Sequence, residues 1–394
     1  MAYSCRIFDS IEQVDLPAWQ RVCAESGASI FMDHRFIAGV ETSMKPACRF
    51  WYVIVDDDAG RAVACAGLAA MTVDLTDFSD PRLARFVKAL PLLSRFRNLK
   101  VLFCSLPGSP GQKSLAIADL GNRAKILSAL DGALHELANE TGMDSIMYKE
   151  FGEEDLQSMN SLLDNGYRRI PIPPMHVFKH SFADFSQYCA ALNTRYRQQV
   201  NRSVRKLKDS GILALVLSDP NEILKMYTPE AHAMYCHMVE KSDVKLETFP
   251  IEYFQQLAIR LNGQADLISL CRDGRLVAFG WGLHDGATYH LMYAGLNQAL
   301  KREFDLYFNL FYTGFDRAFR RGATRINTGQ TATGFKSRMG CESAPLYLFA
   351  KGRGPLMAPF FHYAASWLVI DKPSNPPSHV FKRARGSSAD CLRT

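Results

Sequence analysis

A short basic segment carries the densest set of residues that could bind an anion. Six cations occur within fourteen residues, with no acidic residue among them: Arg195, Arg197, Arg202, Arg205, Lys206 and Lys208. Apolar residues fall between them at helical spacing, so one face of a helix can pack while the other faces carry charge. Such a helix could hold the phosphates of a cofactor, of a nucleotide-linked substrate or of tRNA. A solvated helix face is the alternative interpretation.

Two later segments could also meet an anionic ligand. Lys301 and Arg302 stand just before Asp305, where phenylalanines begin to recur at helical spacing. A helix N-terminus with cations beside it suits a pyrophosphate, although an ordinary basic loop is the alternative. In the second segment, Phe335 and Lys336 follow a predicted strand end and a run of small polar residues. Backbone amides and an ammonium could meet a ligand there, and a polar loop with solvated cations is the alternative.

A further basic segment lies in the first half of the chain. Its cations alternate with apolar residues and are Arg82, Arg85, Lys88, Arg95 and Arg97. Such a pattern could contact a membrane surface or tRNA, and a plain surface helix is the favoured interpretation.

Several common catalytic signatures are incomplete or missing. The glycines of segment 108–114 are too close together for a phosphate loop, and segment 280–282 lacks the third glycine of a dinucleotide fingerprint. Neither a Gly-x-Ser-x-Gly nor a His-Glu-x-x-His motif occurs, which removes the commonest hydrolase and metalloprotease signatures. Packing within one helix is favoured over metal binding for His232, Cys236 and His237, so no metal is predicted.

Alternating strands and helices must position these residues. Hairpins are predicted around the turns at 56–61 and 272–275, and each is followed by a strand, a long helix and further strands. The two long helices end at Gly142 and Gly322, as helices often do. Because both halves repeat this order, we expect two related α/β units joined near residues 181–210.

The composition of the 394 residues fits a folded protein with more than one core: 47% of the residues are hydrophobic and the net charge is only +6. The 10 cysteines form no Cys-x-x-Cys pair and no signal peptide is recognisable, so a reduced, cytoplasmic protein is expected. The longest apolar stretch, 356–370, is shorter than the ~20 residues that span a bilayer. Residues 371–394 are rich in Pro, Ser, Lys and Arg and are expected to lie outside the fold.

Residues 182–350 resemble the GNAT superfamily of N-acyltransferases, and within it the FemAB-like group. The resemblance rests on the segment from Arg195 to Gly211 and on motifs that follow it, namely the Asp273-Gly274 hairpin, Tyr293-Ala294-Gly295-Leu296, Asn327-x-Gly329-Gln330, Phe335-Lys336 and Gly340. The first half resembles the degenerate partner unit of Fem-type enzymes through Ser29-Ile30-Phe31 and Asp58-Ala59-Gly60.

The resemblance implies an α/β fold with two tandem acyltransferase-like units, each a central, mostly antiparallel sheet flanked by helices. Residues 1–180 would form the degenerate unit and residues 181–355 the unit with the site. Residues 356–394 would form an apolar segment and a basic tail.

The resemblance also implies transfer of an acyl or aminoacyl group to an amine. Such an attack needs a deprotonated amine, donors for the tetrahedral oxyanion and a route for the proton. By analogy with the lysine of Fem-type enzymes, Lys336 is expected to contact the oxyanion or a donor phosphate. Tyr293 and Asp305 are candidates for proton handling. The candidates for cofactor binding are Arg195, Arg202, Arg205, Lys301, Arg302 and Gln330. Strand alternation is expected to place Tyr289 on the same face as Tyr293, with His290 and Met292 on the other; Tyr289 and His290 are equally candidates for the core.

Acetyl-CoA or another acyl-CoA is the expected donor, and the acceptor would be a small-molecule or cell-wall-type amine. The superfamily's usual pyrophosphate loop is absent between Leu296 and Asp305, as it is in Fem-type relatives, so aminoacyl-tRNA is the alternative donor. A catalytically silent binding protein on the same fold is a third alternative. If the protein is an enzyme, we expect a groove between the two units lined by Lys336 and the helix of residues 195–208.

Overall fold

The computed structural model describes residues 2–74, 85, 98–241, 247–364 and 379–382. Apart from Arg85, the basic segment of residues 82–97 lies outside the described residues. The strands are β1 (Ser4–Phe8), β2 (Arg49–Asp56), β3 (Ala62–Val73), β4 (Leu99–Cys104), β5 (Leu115–Ile117), β6 (Ser145–Gly152), β7 (Arg168–Lys179), β8 (Leu213–Leu217), β9 (Ala265–Arg272), β10 (Arg275–Asp285), β11 (Thr288–Leu296), β12 (Arg325–Asn327) and β13 (Glu342–Gly352).

The helices connect these strands and pack on the sheet. They are α1 (Leu16–Ser26), α2 (His34–Met44), α3 (Arg123–Glu140), α4 (Leu156–Asp164), α5 (Phe185–Ala191), α6 (Thr194–Asp209), α7 (Pro220–Met226), α8 (Pro229–Glu240), α9 (Ile251–Arg260), α10 (Leu306–Arg320), α11 (Thr333–Arg338) and α12 (Gly354–Ala364).

All the strands belong to one mixed sheet, which confirms the predicted fold class. The order is β1-β2-β3-β4-β6-β13-β7-β12-β11-β10-β9-β8, and β5 pairs with β3 outside this path. The two parallel pairs, β4 with β6 and β11 with β12, are each joined by a long helix, α3 and α10. A parallel pair needs such a crossover, because its strands run in the same direction.

The two halves of the chain exchange their last strands. β7, from the first half, pairs with β12, as in Asn327 opposite Val177. β13, from the second half, lies between β6 and β7, with Leu346 opposite both Gly152 and Ile172. The boundary expected at residue 180 therefore runs between strands that belong to one sheet.

The sheet has two covered faces, which we call face A and face B. Face A carries α1, α2, α7, α8 and α9, whose apolar residues form one core with strands of both halves. Face B carries α3 and α4 over the first half and α5, α6 and α10 over the second half. Alternating residues of β2 show the division: Tyr52 and Ile54 pack on face A, whereas Trp51 and Val53 pack on face B.

A short piece of the C-terminal region is part of the fold, which corrects the expectation that residues 371–394 lie outside it. Val380 is 1% exposed and Phe381 pairs with Leu192 between α5 and α6. The Asn193 side chain donates a hydrogen bond to the backbone oxygen of His379 (2.7 Å). Val380 and Phe381 suffice to attach this piece, because Phe381 packs into an aromatic cluster around Tyr188.

Candidate active site

Lys336, in α11, is a buried cation of the second half. The residue is 2% exposed, and burial lowers the pKa of its ammonium to about 7. Its Nζ has no hydrogen bond or ion pair within the part of the chain that the structure describes, and a Cβ on Gly329 would lie 3.4 Å from it. A desolvated ammonium without a counter-ion is stabilised by any anion that arrives beside it. Lys336 is therefore suited to bind an anionic group or a developing oxyanion.

His176, on β7, fixes the wall next to Lys336. Its Nε2 lies 3.0 Å from Thr333 Oγ1 at the start of α11, and its Nδ1 lies 3.2 Å from Ser343 Oγ on β13. Burial, together with the nearby Lys336 charge, lowers the pKa of His176 to about 4, so its ring is neutral at pH 7. The two exchanged strands thus hold the helix that carries Lys336.

Lys336 lies close to the point where two parallel strands diverge. β11 and β12 pair only from Thr288 opposite Arg325 to His290 opposite Asn327. Beyond this point the chain after β12 follows β7 instead, because the His176 N–H donates to the Gly329 carbonyl (3.1 Å). The divergence leaves one edge of β11 without β12 beside it. An extended ligand could lie there, next to the lysine.

Helix α6 presents the predicted cations to solvent. Val200, Ser203 and Leu207 are buried, whereas Arg195, Arg202 and Arg205 are exposed. These three arginines have no ion-pair partner among the described residues. Lys301 is half-buried and Arg302 is exposed in the loop before α10. This part of the surface therefore combines free cations with the N-terminus of a helix, as an anionic donor requires.

Asp305 joins α6 to α10. It precedes the first residue of α10 with a left-handed φ of 50°. Ser203 Oγ donates a hydrogen bond to its carboxylate (2.9 Å), and Lys206 Nζ lies 3.4 Å away. Within the described ranges, no hydrogen bond or ion pair connects Asp305 with Lys336 or Tyr293.

A β-bulge in β11 separates Tyr289 from Tyr293. The register with β10 shifts midway along the strand, and one extra residue reverses the alternation of side chains. Tyr289 donates its hydroxyl to Asp266 (2.8 Å) and packs in the face B core. Tyr293 instead lies edge-on to Tyr253 in the face A core, and burial raises its pKa. The expectation that both tyrosines share a face is wrong. A bulge arises from pairing with the neighbouring strand, so the sequence of one strand alone does not reveal it.

A cleft of about 820 Å³ lies on face A between the two halves. Strands β7, β11, β12 and β13 contribute to it, and so do residues 27–29, 111–113 and 150–155 of the first half. Neither Lys336 nor α6 lines this cleft. The groove that was expected to contain both is therefore not this cleft, since Phe335 and Leu207 beside them pack into the core of face B.

Gln330 connects the lysine to the cleft. Its neighbour Gly329 lies beside Lys336, and its own Nε2 donates to Glu150 Oε2 (3.0 Å) and to the Pro173 carbonyl (3.0 Å). Glu150 lines the cleft and comes from β6 of the first half. Sequence analysis missed Glu150, and the signal available for it was a charged pair, Lys149 and Glu150, inside an otherwise apolar strand.

The described residues contain no group of three or more His, Cys, Asp or Glu that could hold a metal ion. His232 lies 3.5 Å from Cys236, whereas His237 faces Glu240 instead. A helix with the length and apolarity needed to cross a bilayer is likewise not found in the described ranges.

Residues 194–337 match the acetyltransferase (GNAT) domain family. The match begins with α6 and ends just after Lys336. These residues form a GNAT domain. This acyltransferase domain makes the protein an enzyme, and it contains every residue that sequence analysis proposed for the site. No curated protein matches the sequence.

Solved structures share the fold over most of the chain. FemX is 13% identical, with a TM-score of 0.57 over 87% of this chain and 96% of FemX. The C-terminal domain of a putative lysylphosphatidylglycerol synthetase from Agrobacterium fabrum is 10% identical, with a TM-score of 0.52 over 86% of this chain and 92% of that domain. A tandem GNAT protein from the clavulanic acid biosynthesis pathway is 14% identical, with a TM-score of 0.51 over 90% and 99%. At these identities the similarity shows a tandem GNAT fold.

Proposed function

We propose that the protein transfers an acyl group from a coenzyme A thioester to an amine. The observation that supports this most directly is Lys336, a buried ammonium beside the diverging strands of the GNAT domain that has no counter-ion among the residues the structure describes. The exposed arginines of α6, with Lys301 and Arg302, would receive the phosphates of the donor.

The proposed reaction is a direct attack. The amine nitrogen adds to the thioester carbonyl, the oxygen becomes negative, and collapse of the intermediate expels the thiolate. Lys336 would stabilise the oxyanion or a donor phosphate, and a protonated lysine in a water-poor site stabilises such a charge strongly. The negative charge would in turn favour the ammonium form of Lys336.

Aminoacyl-tRNA is the second candidate donor, and the exposed charge of α6 is the observation that favours it. Arg195, Arg202 and Arg205 lie along one helix over about ten residues, so they could follow a phosphate backbone. Under this alternative the product is again an amide, and the acceptor can be a small-molecule or cell-wall-type amine.

Calorimetric titration separates the two donors. The purified protein is titrated with acetyl-CoA and, separately, with a charged tRNA mixture at two salt concentrations, and both titrations are repeated on Lys336→Met. Binding of acetyl-CoA that weakens in the variant, with thiol release when an amine is added, supports the acyl-CoA enzyme. Salt-sensitive tRNA binding without acetyl-CoA binding supports the aminoacyl transferase. Binding of neither donor refutes both.

A further inference from the structure

The cleft on face A differs in charge from the donor surface on face B. Its rim carries Glu153, Glu154 and Glu342, which are exposed and have no ion-pair partner among the described residues. A fourth carboxylate, Asp155, is already neutralised by Lys113 (2.6 Å) and by a second cation. The free cations at the rim are fewer, namely Lys179 and the half-buried Arg325. This excess of negative charge favours a cationic occupant over an anionic one.

Glu150 is held at the inner end of this cleft by an unusual backbone. Its φ is 71°, a left-handed conformation that is strained for a residue with a Cβ. The register between β6 and β13 shifts between Tyr347 and Phe349, so Lys149 and Glu150 form a β-bulge. Bulges re-aim side chains next to active sites. The bulge directs a carboxylate that is 3% exposed toward the cleft.

The neighbours of Glu150 leave its charge only partly balanced. Lys149 Nζ lies 3.4 Å from Oε1, while Gln330 donates to Oε2. Burial raises the pKa of Glu150, the Lys149 charge opposes this shift, and the nearby Glu247 adds to it. A carboxylate in this setting gains from a second cation and accepts a proton more readily than a solvated one.

Two buried atoms beside the cleft lack a hydrogen-bond partner in the described part of the chain. Gln330 uses its Nε2 twice, but its Oε1 accepts no hydrogen bond within the described residues. His290, which is 3% exposed and lines the cleft, has an Nε2 without a hydrogen bond, and the Asp285 carboxylate lies 3.6 Å from it. Buried polar atoms normally have partners, so an unpaired oxygen next to Glu150 indicates a donor supplied by a ligand.

We propose that the face A cleft binds the acceptor as a cationic primary amine, and that Glu150, with Gln330 beside it, holds the ammonium and takes its first proton. This inference rests on the proposed acyl transfer. The segment Gly329–Gln330 links the two residues, because Gly329 lies beside Lys336 and Gln330 donates to Glu150.

The proton balance of the step is complete. The ammonium has three N–H bonds, of which one proton goes to Glu150 and is later released to water. The nitrogen lone pair forms the C–N bond with the acyl carbon and the C–S bond breaks. A second proton passes from nitrogen to the leaving thiolate, and the third N–H remains in the amide.

The first test measures binding without a donor. The protein is titrated calorimetrically with 1,4-diaminobutane, spermidine and lysine methyl ester, and with glutarate as an anion of similar length. We expect at least one amine to bind at least tenfold more tightly than glutarate. Glu150→Gln should weaken that amine at least tenfold, whereas Glu140→Gln, at an exposed carboxylate on α3, should leave it unchanged. The proposal is overturned if the amines and glutarate bind equally well, or if Glu150→Gln binds the amine as tightly as the wild type does.

A second variant, at an exposed position, tests the cleft in case Glu150→Gln fails to fold. Glu342→Gln changes an exposed rim residue and should weaken the same amine two- to fivefold without changing the melting temperature; no change in affinity contradicts the proposed cleft. Where wild-type turnover is measurable, Glu150→Gln should lower kcat and remove the acidic limb of the kcat pH profile; a profile identical to that of the wild type contradicts the proton transfer. Acetyl-CoA binding is measured in a separate titration. Failure of the proposed donor therefore shows as missing acetyl-CoA binding, whereas failure of the proposed acceptor site shows as missing or unselective amine binding.

Discussion

Replacing Lys336 by methionine tests whether the structure has placed a desolvated ammonium in the site. Burial lowers the pKa of Lys336 to about 7, whereas an unfolded lysine titrates near 10.4. Between these two values the unfolded chain binds more protons than the folded one. The free energy of unfolding of the wild type therefore rises with pH across this window, and Lys336→Met lacks this contribution.

The size of the effect follows from the two pKa values. The gap between them corresponds to about 5 kcal/mol between the acidic and alkaline limits, of which about 2 kcal/mol falls between pH 7 and pH 9. Other titrating groups are common to both proteins and cancel in the difference. Lys336→Met should therefore be stabilised relative to the wild type at pH 7 and should lose about 2 kcal/mol of that advantage by pH 9.

Urea unfolding followed by circular dichroism at pH 7, 8 and 9 provides the measurement. Lys125→Met is the matched control, since Lys125 is an exposed lysine on α3, and its difference from the wild type should stay constant. A difference between the wild type and Lys336→Met that does not change with pH would refute the reasoning. The ammonium would then be solvated or paired in the folded protein, and the anion site proposed around it would be lost.

Three further changes test other parts of the site and the fold. Gly329→Ala places a Cβ 3.4 Å from the Lys336 Nζ at a φ of 81°, so it should lower both the melting temperature and the rate of thiol release. The control Gly263→Ala has a similar φ of 78° but no atom within 4 Å of the new Cβ, so it should lower the melting temperature alone. Arg202→Gln should weaken the binding of acetyl-CoA or tRNA several-fold and reduce its salt dependence, whereas Lys125→Gln should not. Val380→Ala should destabilise the protein by about 1–2 kcal/mol in urea, because a 1% exposed side chain loses two methyl groups; an unchanged midpoint would show that the C-terminal piece is not attached.

The sequence predicted the local elements of this fold better than it predicted their arrangement. The turn at Asp273-Gly274, the glycine that ends each long helix and the apolar stripe of α6 are all signals that act over a few residues, and the corresponding elements are present. The exchange of β7 and β13 is different, because nothing in an isolated strand indicates which strand in a distant part of the chain will pair with it.

Some residues of the candidate site could likewise be predicted from the sequence, whereas others could not. Lys336 stands in a recognisable motif and α6 in an unusual run of cations, so both could be selected before the fold was known. Their surroundings could not be predicted, because Lys336 is buried in a helix that is held by residues distant in sequence, such as His176 of β7. Glu150 became a candidate only when a bulge and a contact across 180 positions of sequence brought it beside Gln330.

The exchange of strands has a consequence for synthesis on the ribosome. When the first half of the chain has left the ribosome, β6 still lacks its neighbour β13, and β7 lacks both of its partners, β12 and β13. Until β13, which begins at Glu342, has been synthesised, these strand edges stay unpaired, and such edges associate readily with other chains. Completion of the first half must therefore wait for translation of β12 and β13. Chaperone contact with the nascent chain would be needed longest at these unpaired edges, and a stall in the second half would leave the first half exposed.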